Sequence, residues 1–220
     1  MTDLCCLLAG LIRLLGPAAL LIYWNRRTHA RVFPAFVALA VCFPVFILGN
    51  AIRSGFHYSS PIFYYIQQGL LFGILEEGAK FIMLRFILTD YNDCTDAVTY
   101  SIGHGAYEEF GAGISCLSLI GKGTASPIIL AVNFWAVIHS AVSGAAACIM
   151  ILYGIRAGKS RIMLPAAVAF HAAGNIVLAV FIESAAVIIT TLLTAAELYI
   201  AVRCWKAMQI PPINETEQQL

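Results

Sequence analysis

The chain reads as a succession of long apolar runs separated by short polar breaks. A membrane-spanning helix needs about 20 consecutive, mostly apolar residues. Seven stretches approach or exceed that length: 4–24, 32–52, 61–88, 96–120, 127–154, 163–182 and 184–204. The breaks carry turn-forming residues, as in Asn25-Arg26-Arg27, Ser59-Ser60-Pro61, Gly121-Lys122-Gly123 and Gly158-Lys159-Ser160. The pattern predicts an all-α fold, a polytopic membrane helix bundle with about seven transmembrane helices. It predicts one helical domain over 1–207 and a polar C-terminal tail over 208–220, which contains Pro211-Pro212 and a sequon-like Asn214-Glu215-Thr216. Met1-Thr2-Asp3 lack the basic charge of a cleaved leader, so the first run is expected to be retained as a span.

Composition and charge sharpen this picture. Of 220 residues, 60% are hydrophobic and 11% charged, against about 45–50% and about 25% in soluble domains. Mean hydropathy is +0.84, and too few polar residues remain to cover a water-soluble globule. A net charge of +1 excludes a nucleic-acid binder. Of the 13 basic residues, nine fall in the odd-numbered loops and C-terminus, two (Arg53 and Lys122) in even-numbered loops, and two (Arg13 and Lys80) inside helices. That bias places the N-terminus outside and the C-terminus in the cytoplasm. The seven cysteines have no C-x-x-C spacing and read as small apolar filler.

The costly residues are polar ones within the apolar runs. An ionisable group at the bilayer centre costs about 2.5–3.5 kcal/mol on insertion scales. The third run holds Glu76, Glu77 and Lys80; the fourth, His104, Glu108 and Glu109; the fifth, His139; the sixth, His171 and Asn175. At 1.5 Å rise per residue, His104 and His171 lie about 12 Å from the cytoplasmic side, the glutamates roughly 17 Å and His139 about 20 Å. Four helices thus place their polar residues in one slab. His104 with Glu108, His171 with Asn175, and Glu76 with Lys80 are each four apart and share a helix face. Adjacent Glu76 and Glu77 point about 100° apart, so one enters a shared site while the other pairs with Lys80. Small residues around them, including Gly69, Gly73, Gly103 and Gly105, allow close helix approach. Glu109 reads as structural or snorkelling, and Arg13 and Glu197, on the terminal helices, as structural or as mutual partners.

Three imidazoles with carboxylates describe a catalytic zinc site, with His104, Glu108, His139 and His171 as metal-ligand candidates. Glu76 or Glu77 would take the proton of an attacking water, and Asn175 would donate to the developing oxyanion. A metal-free version, with glutamate-activated water and His and Asn stabilisation, uses the same residues. No H-E-x-x-H or G-x-S-x-G motif occurs, and every aspartate lies at a helix end.

The motifs Glu76-Glu77-Gly78-Ala79-Lys80, Asp96-Ala97-Val98-Thr99-Tyr100, Gly103-His104-Gly105-Ala106-Tyr107-Glu108, His139 and His171-Ala172-Ala173-Gly174-Asn175 follow in order on four consecutive helices. In this the chain resembles the YhfC family of intramembrane metalloproteases, grouped in one superfamily with the PrsW and type II CAAX prenyl proteases. The resemblance implies a multi-helix protease with its site inside the bundle. It matches Glu76-Glu77 to the E-E pair, His104 and Glu108 to G-H-G-x-x-E, and His171 and Asn175 to the final H-x-x-x-[ND]. Lys80 stands where Arg is expected, and Asn175 where Asp is frequent. The superfamily also includes a non-catalytic scaffold subunit of gamma-secretase. The expected function is an intramembrane peptidase, with Zn2+ as cofactor and a membrane-embedded peptide or protein as substrate. The expected location is the plasma (inner) membrane of a prokaryote. The competing readings are a metal-ion or proton transporter and an inactive peptide-binding scaffold.

Overall fold

The computed structural model describes residues 2–56, 60–122, 129–181 and 183–209. Among the described residues seven α-helices follow one another: α1 (Thr2–Thr28), α2 (Phe33–Ser54), α3 (Pro61–Ile82), α4 (Cys94–Leu117), α5 (Ile129–Arg156), α6 (Ser160–Val180) and α7 (Glu183–Gln209). No strand occurs among the described residues. Five helices, α1, α2, α5, α6 and α7, are long and apolar enough to cross a membrane. The other two, α3 and α4, carry Glu76, Glu77 and Lys80, and Asp96, Glu108 and Glu109. Large apolar side chains such as Phe36, Phe86, Phe110, Ile162, Leu192 and Tyr199 point outward, which suits contact with lipid rather than water.

Helix ends follow local chemistry, with two departures from the expected breaks. Asn25, Arg26 and Arg27 are helical, and the turn falls at His29, whose φ is 55°. Arginines favour the negative end of the helix dipole, so they extend α1. The chain then turns where Thr28 Oγ1 donates to the Trp24 carbonyl and the Asn25 side-chain amide donates to the Ala30 carbonyl. The third run, expected to continue to 88, passes from α3 into a π-helical turn over Met83–Ile87. The start of α3 is as expected: Pro61 occupies its first turn and Ser60 Oγ accepts from the Phe63 N–H at 3.3 Å. Gly158, at φ 68°, makes the α5–α6 turn. Met208 and Gln209 continue α7, whereas Pro211-Pro212 and Asn214 of the expected tail lie outside the described residues. So do Ser59 and Gly123 of the expected breaks.

The helices are held by glycines and a central α4. Helix α4 packs against α1, α2 and α5; α3 packs against α6, and α5 against α7. A Cβ on Gly103 would lie 2.0 Å from the Ala35 carbonyl oxygen, so the α2 and α4 backbones touch there. A Cβ on Gly73 would lie 3.1 Å from the Val168 carbonyl and one on Gly69 2.6 Å from Ile176 Cγ1, which brings α3 against α6. By contrast Gly78, Gly111 and Gly174 face open space. The substitution Gly103→Ala is therefore expected to force α2 and α4 apart, at about 1–3 kcal/mol, whereas Gly111→Ala should be neutral. Thermal unfolding in detergent compares the two.

Asp96 anchors the start of α4. It closes a capping box with Asp93 and binds the Arg31 guanidinium, which also lies 4.2 Å over the Tyr91 ring. Arg31 sits in the α1–α2 connection, and its hydrogen bond to Asp96 raises its pKa above the ordinary arginine value. This contact joins the α1–α2 connection to the helix that carries His104 and Glu108.

Candidate active site

The glycine contacts put the polar faces of α3, α4, α5 and α6 around a common space. Glu76, Glu77, His104, Glu108, His139, His171 and Asn175 all line one cavity of about 1020 Å³. Within it the adjacent glutamates of α3 diverge as a helix requires. Glu77 is fully buried, and its Oε1 accepts from Lys80 Nζ at 2.6 Å, one helical turn on. Glu76 turns the other way, toward the Nε2 atoms of His104 and His171.

Two imidazoles meet Glu76. His104 Nε2 lies 3.1 Å from Glu76 Oε2 and 3.4 Å from Glu108 Oε1. His171 Nε2 lies 3.5 Å from the same Glu76 oxygen. The far side of His171 is fixed, because its Nδ1 lies 2.6 Å from Glu77 Oε1. A carboxylate oxygen paired with lysine only accepts, so His171 Nδ1 is the donor and, in a neutral ring, Nε2 carries the lone pair. Ser140 Oγ donates to Glu108 Oε2 at 3.1 Å and holds that carboxylate toward the centre.

The result is a convergence of acceptors. Ligand atoms of Glu76, Glu108 and His171 all lie within 4.8 Å of one another, with His104 Nε2 against both glutamates. Lone pairs in such proximity repel unless a proton or a cation lies among them. The spacing suits a cation: tetrahedral ligands at metal distances of about 2.0–2.1 Å are about 3.3 Å apart. The separations of 3.1, 3.4 and 3.5 Å fall around that value. The donor set of imidazole nitrogen and carboxylate oxygen suits zinc or a similar divalent ion.

His139 and Asn175 sit in the wall of the same cavity. His139 packs on Trp135 of its own helix, with ring centroids 4.8 Å apart. Among the described residues no hydrogen bond or ion pair joins His139 or Asn175 to the carboxylates.

Several contacts differ from the sequence reading. Arg13 does not pair with Glu197. Its Nη1 lies 2.6 Å from Glu109 Oε2 and its Nε contacts Asn133. Glu197 instead accepts from Ser143 Oγ at 2.5 Å and lines the same cavity. Cys42 is more than filler, since its Sγ lies 2.9 Å from His104 Nδ1. Nothing in the order of residues marks Cys42 or Ser143; Ser140 stands next to His139 and Glu197 is charged within an apolar run, which are the only visible hints.

These features define a multi-pass membrane protein with an internal glutamate–histidine centre able to hold a metal ion. Residues 14–122, about half of the chain, match the family model described as YhfC intramembrane metalloprotease. Among curated proteins it is 28% identical over 127 residues to "Uncharacterized membrane protein YhfC" of Bacillus subtilis (strain 168). That alignment covers 51% of this chain and 48% of the relative, so the chain spans about half the length of the curated relative it matches. No solved structure matches the chain. The family match takes in Glu76, Glu77, His104 and Glu108; His139, His171, Asn175 and Glu197 lie beyond it.

Proposed function

We propose that the protein is an intramembrane peptidase that hydrolyses a peptide bond in or near the membrane. The convergence of Glu76, Glu108, His104 Nε2 and His171 Nε2 inside one cavity carries this reading. The family match supports it from a separate direction, and kinship with the PrsW and CAAX proteases belongs to the same proposal.

In this proposal α3 and α4 also cross the bilayer. That makes seven spans, with the N-terminus outside and the C-terminus cytoplasmic, in the inner membrane of a prokaryote. Their charged residues face the cavity and each other, which removes most of the cost of placing them in hydrocarbon. The substrate is a membrane-embedded peptide or protein that enters the cavity.

Each residue then has a distinct task. His104, Glu108 and His171 hold a divalent ion, most simply Zn2+, with His139 in reserve on the cavity wall. When bound, the ion lowers the pKa of water and polarises the scissile carbonyl. Glu76 takes the proton of the attacking water and passes it to the departing amine. Asn175 donates its side-chain amide to the oxyanion. Glu77 does not reach the water in this scheme; with Lys80 it orients His171, the carboxylate–histidine arrangement common around metal sites.

The test is metal content and hydrolysis by the purified full chain. Near-stoichiometric zinc, lost in His104→Ala together with cleavage of a membrane-peptide library, is the expected result. Cleavage without any metal would transfer the chemistry to Glu76 alone. Ion flux in liposomes without peptidase activity would establish a transporter instead.

A further inference from the structure

Among the described residues five carboxyl groups line the cavity, and four of them have a place already. Glu109 pairs with Arg13 and Glu77 with Lys80, while Glu76 and Glu108 belong to the histidine centre. The fifth is Glu197 of α7, which is 2% exposed. Its Oε2 accepts from Ser143 Oγ at 2.5 Å, and among the described residues no lysine, arginine or histidine lies within ion-pair distance of it. The two ends of α7 are about 21 and 18 Å away along the helix axis, so in the proposed topology Glu197 sits near mid-membrane. Two further buried oxygens on residues of this cavity, Glu77 Oε2 and Ser101 Oγ, have no hydrogen-bond partner. Ser101 stands against the neighbour of Ser143, since a Cβ on Gly144 would lie 3.1 Å from Ser101 Oγ. Glu197 falls outside the one group of ligand atoms close enough to share a metal ion among the described residues, which is Glu76, Glu108 and His171. A lone carboxylate with hydroxyl oxygens nearby matches instead an ammonium or guanidinium group, which carries donors only.

We propose that Glu197, with Ser143, forms a substrate-selecting subsite of the cavity that receives a basic side chain carried near the middle of the substrate's membrane span. The role as a selector of substrate rests on the peptidase reading. A lysine or arginine in the middle of a span is costly in lipid, and a carboxylate buried without a cation is costly inside a protein. Bringing the two together relieves both. A span with a central basic residue therefore gains more on leaving lipid for the cavity than an apolar span does. Lys80 does not fill this role, because its ammonium is already held by Glu77 Oε1 at 2.6 Å.

The test measures binding and cleavage of two fluorescent single-span peptides by the full chain in lipid nanodiscs. One peptide carries lysine at its centre, and the other carries norleucine there. The wild type is expected to bind the lysine peptide about 10-fold or more tightly than its counterpart. Glu197→Gln, which still offers Ser143 an acceptor, should bring the ratio of the two affinities close to one, and Glu197→Asp should keep part of the preference. Equal binding of the two peptides by the wild type overturns the proposal, and this comparison needs no variant to fold. A preference that survives in Glu197→Gln overturns it too. Loss of the preference when sodium or magnesium replaces choline at equal ionic strength assigns the carboxylate to an inorganic cation and overturns it as well. If the lysine peptide binds more tightly but neither peptide is cut, the subsite stands and the peptidase reading fails. If both are cut and bound alike, the peptidase reading stands and the subsite fails.

Discussion

Glu76→Gln is expected to lower peptide hydrolysis by about 10²–10⁴-fold, the usual contribution of a positioned general base, while the protein still folds and still retains its metal. The amide has nearly the same shape as the carboxylate but does not take up a proton from water. Glu76 is held only through contacts to two imidazoles, at 3.1 and 3.5 Å, and no lysine or arginine lies within ion-pair distance of it among the described residues. Its replacement therefore breaks no ion pair with a lysine or arginine. Turnover of a membrane peptide and metal content, measured on the same preparation, give the answer. If zinc is lost along with turnover, Glu76 is a ligand and the base lies elsewhere; full activity in the variant would remove Glu76 from the chemistry.

The second large effect concerns the pair beneath the site. Lys80 is 2% exposed and Glu77 fully buried, and their contact of 2.6 Å neutralises both. Removing one partner leaves a charge buried without compensation, which costs about 3–5 kcal/mol. Glu77→Leu and Lys80→Met should each lower the unfolding temperature sharply in detergent. The double substitution Glu77→Leu/Lys80→Met should recover much of that stability, since an apolar pair of similar volume avoids the desolvation cost. It should not recover hydrolysis, because His171 Nδ1 loses the acceptor at 2.6 Å that orients its ring. Stability and activity thus separate in the double variant. Recovery of both would show that Glu77 serves only to neutralise Lys80.

Much of this was legible in the residues. The seven apolar runs appear as seven helices because each is long enough and its period places enough apolar surface outward. Glu76-Glu77, His104 with Glu108, and His171 with Asn175 were legible as candidates, since such residues are too costly within apolar runs to lack compensation. Helical spacing also required the two glutamates of α3 to diverge. It did not tell which one faces His104. Lys80 is three residues from Glu77 and four from Glu76, and both spacings permit a pair.

Helix ends and distant partners were less legible. The point at which α1 ends, beyond Arg26 and Arg27, is marked by bonds from the Thr28 and Asn25 side chains to the Trp24 and Ala30 carbonyls that composition does not display. Arg13 could have met Glu197 or Glu109, both charged and both on apolar helices. Packing of α1 on α4 selected Glu109.

The order of residues by itself determined the helical, membrane-embedded character of the protein and the identity of its costly side chains. Both follow from local periodicity and from the free energy of placing each residue type in hydrocarbon. Only the tertiary structure decided that Glu76 faces two imidazoles, that Glu77 lies behind His171, and that a cysteine touches His104. Those contacts depend on how closely α2 meets α4 and α3 meets α6 at Gly103 and Gly73. Interhelical distance is set by two surfaces together, and neither segment alone encodes it.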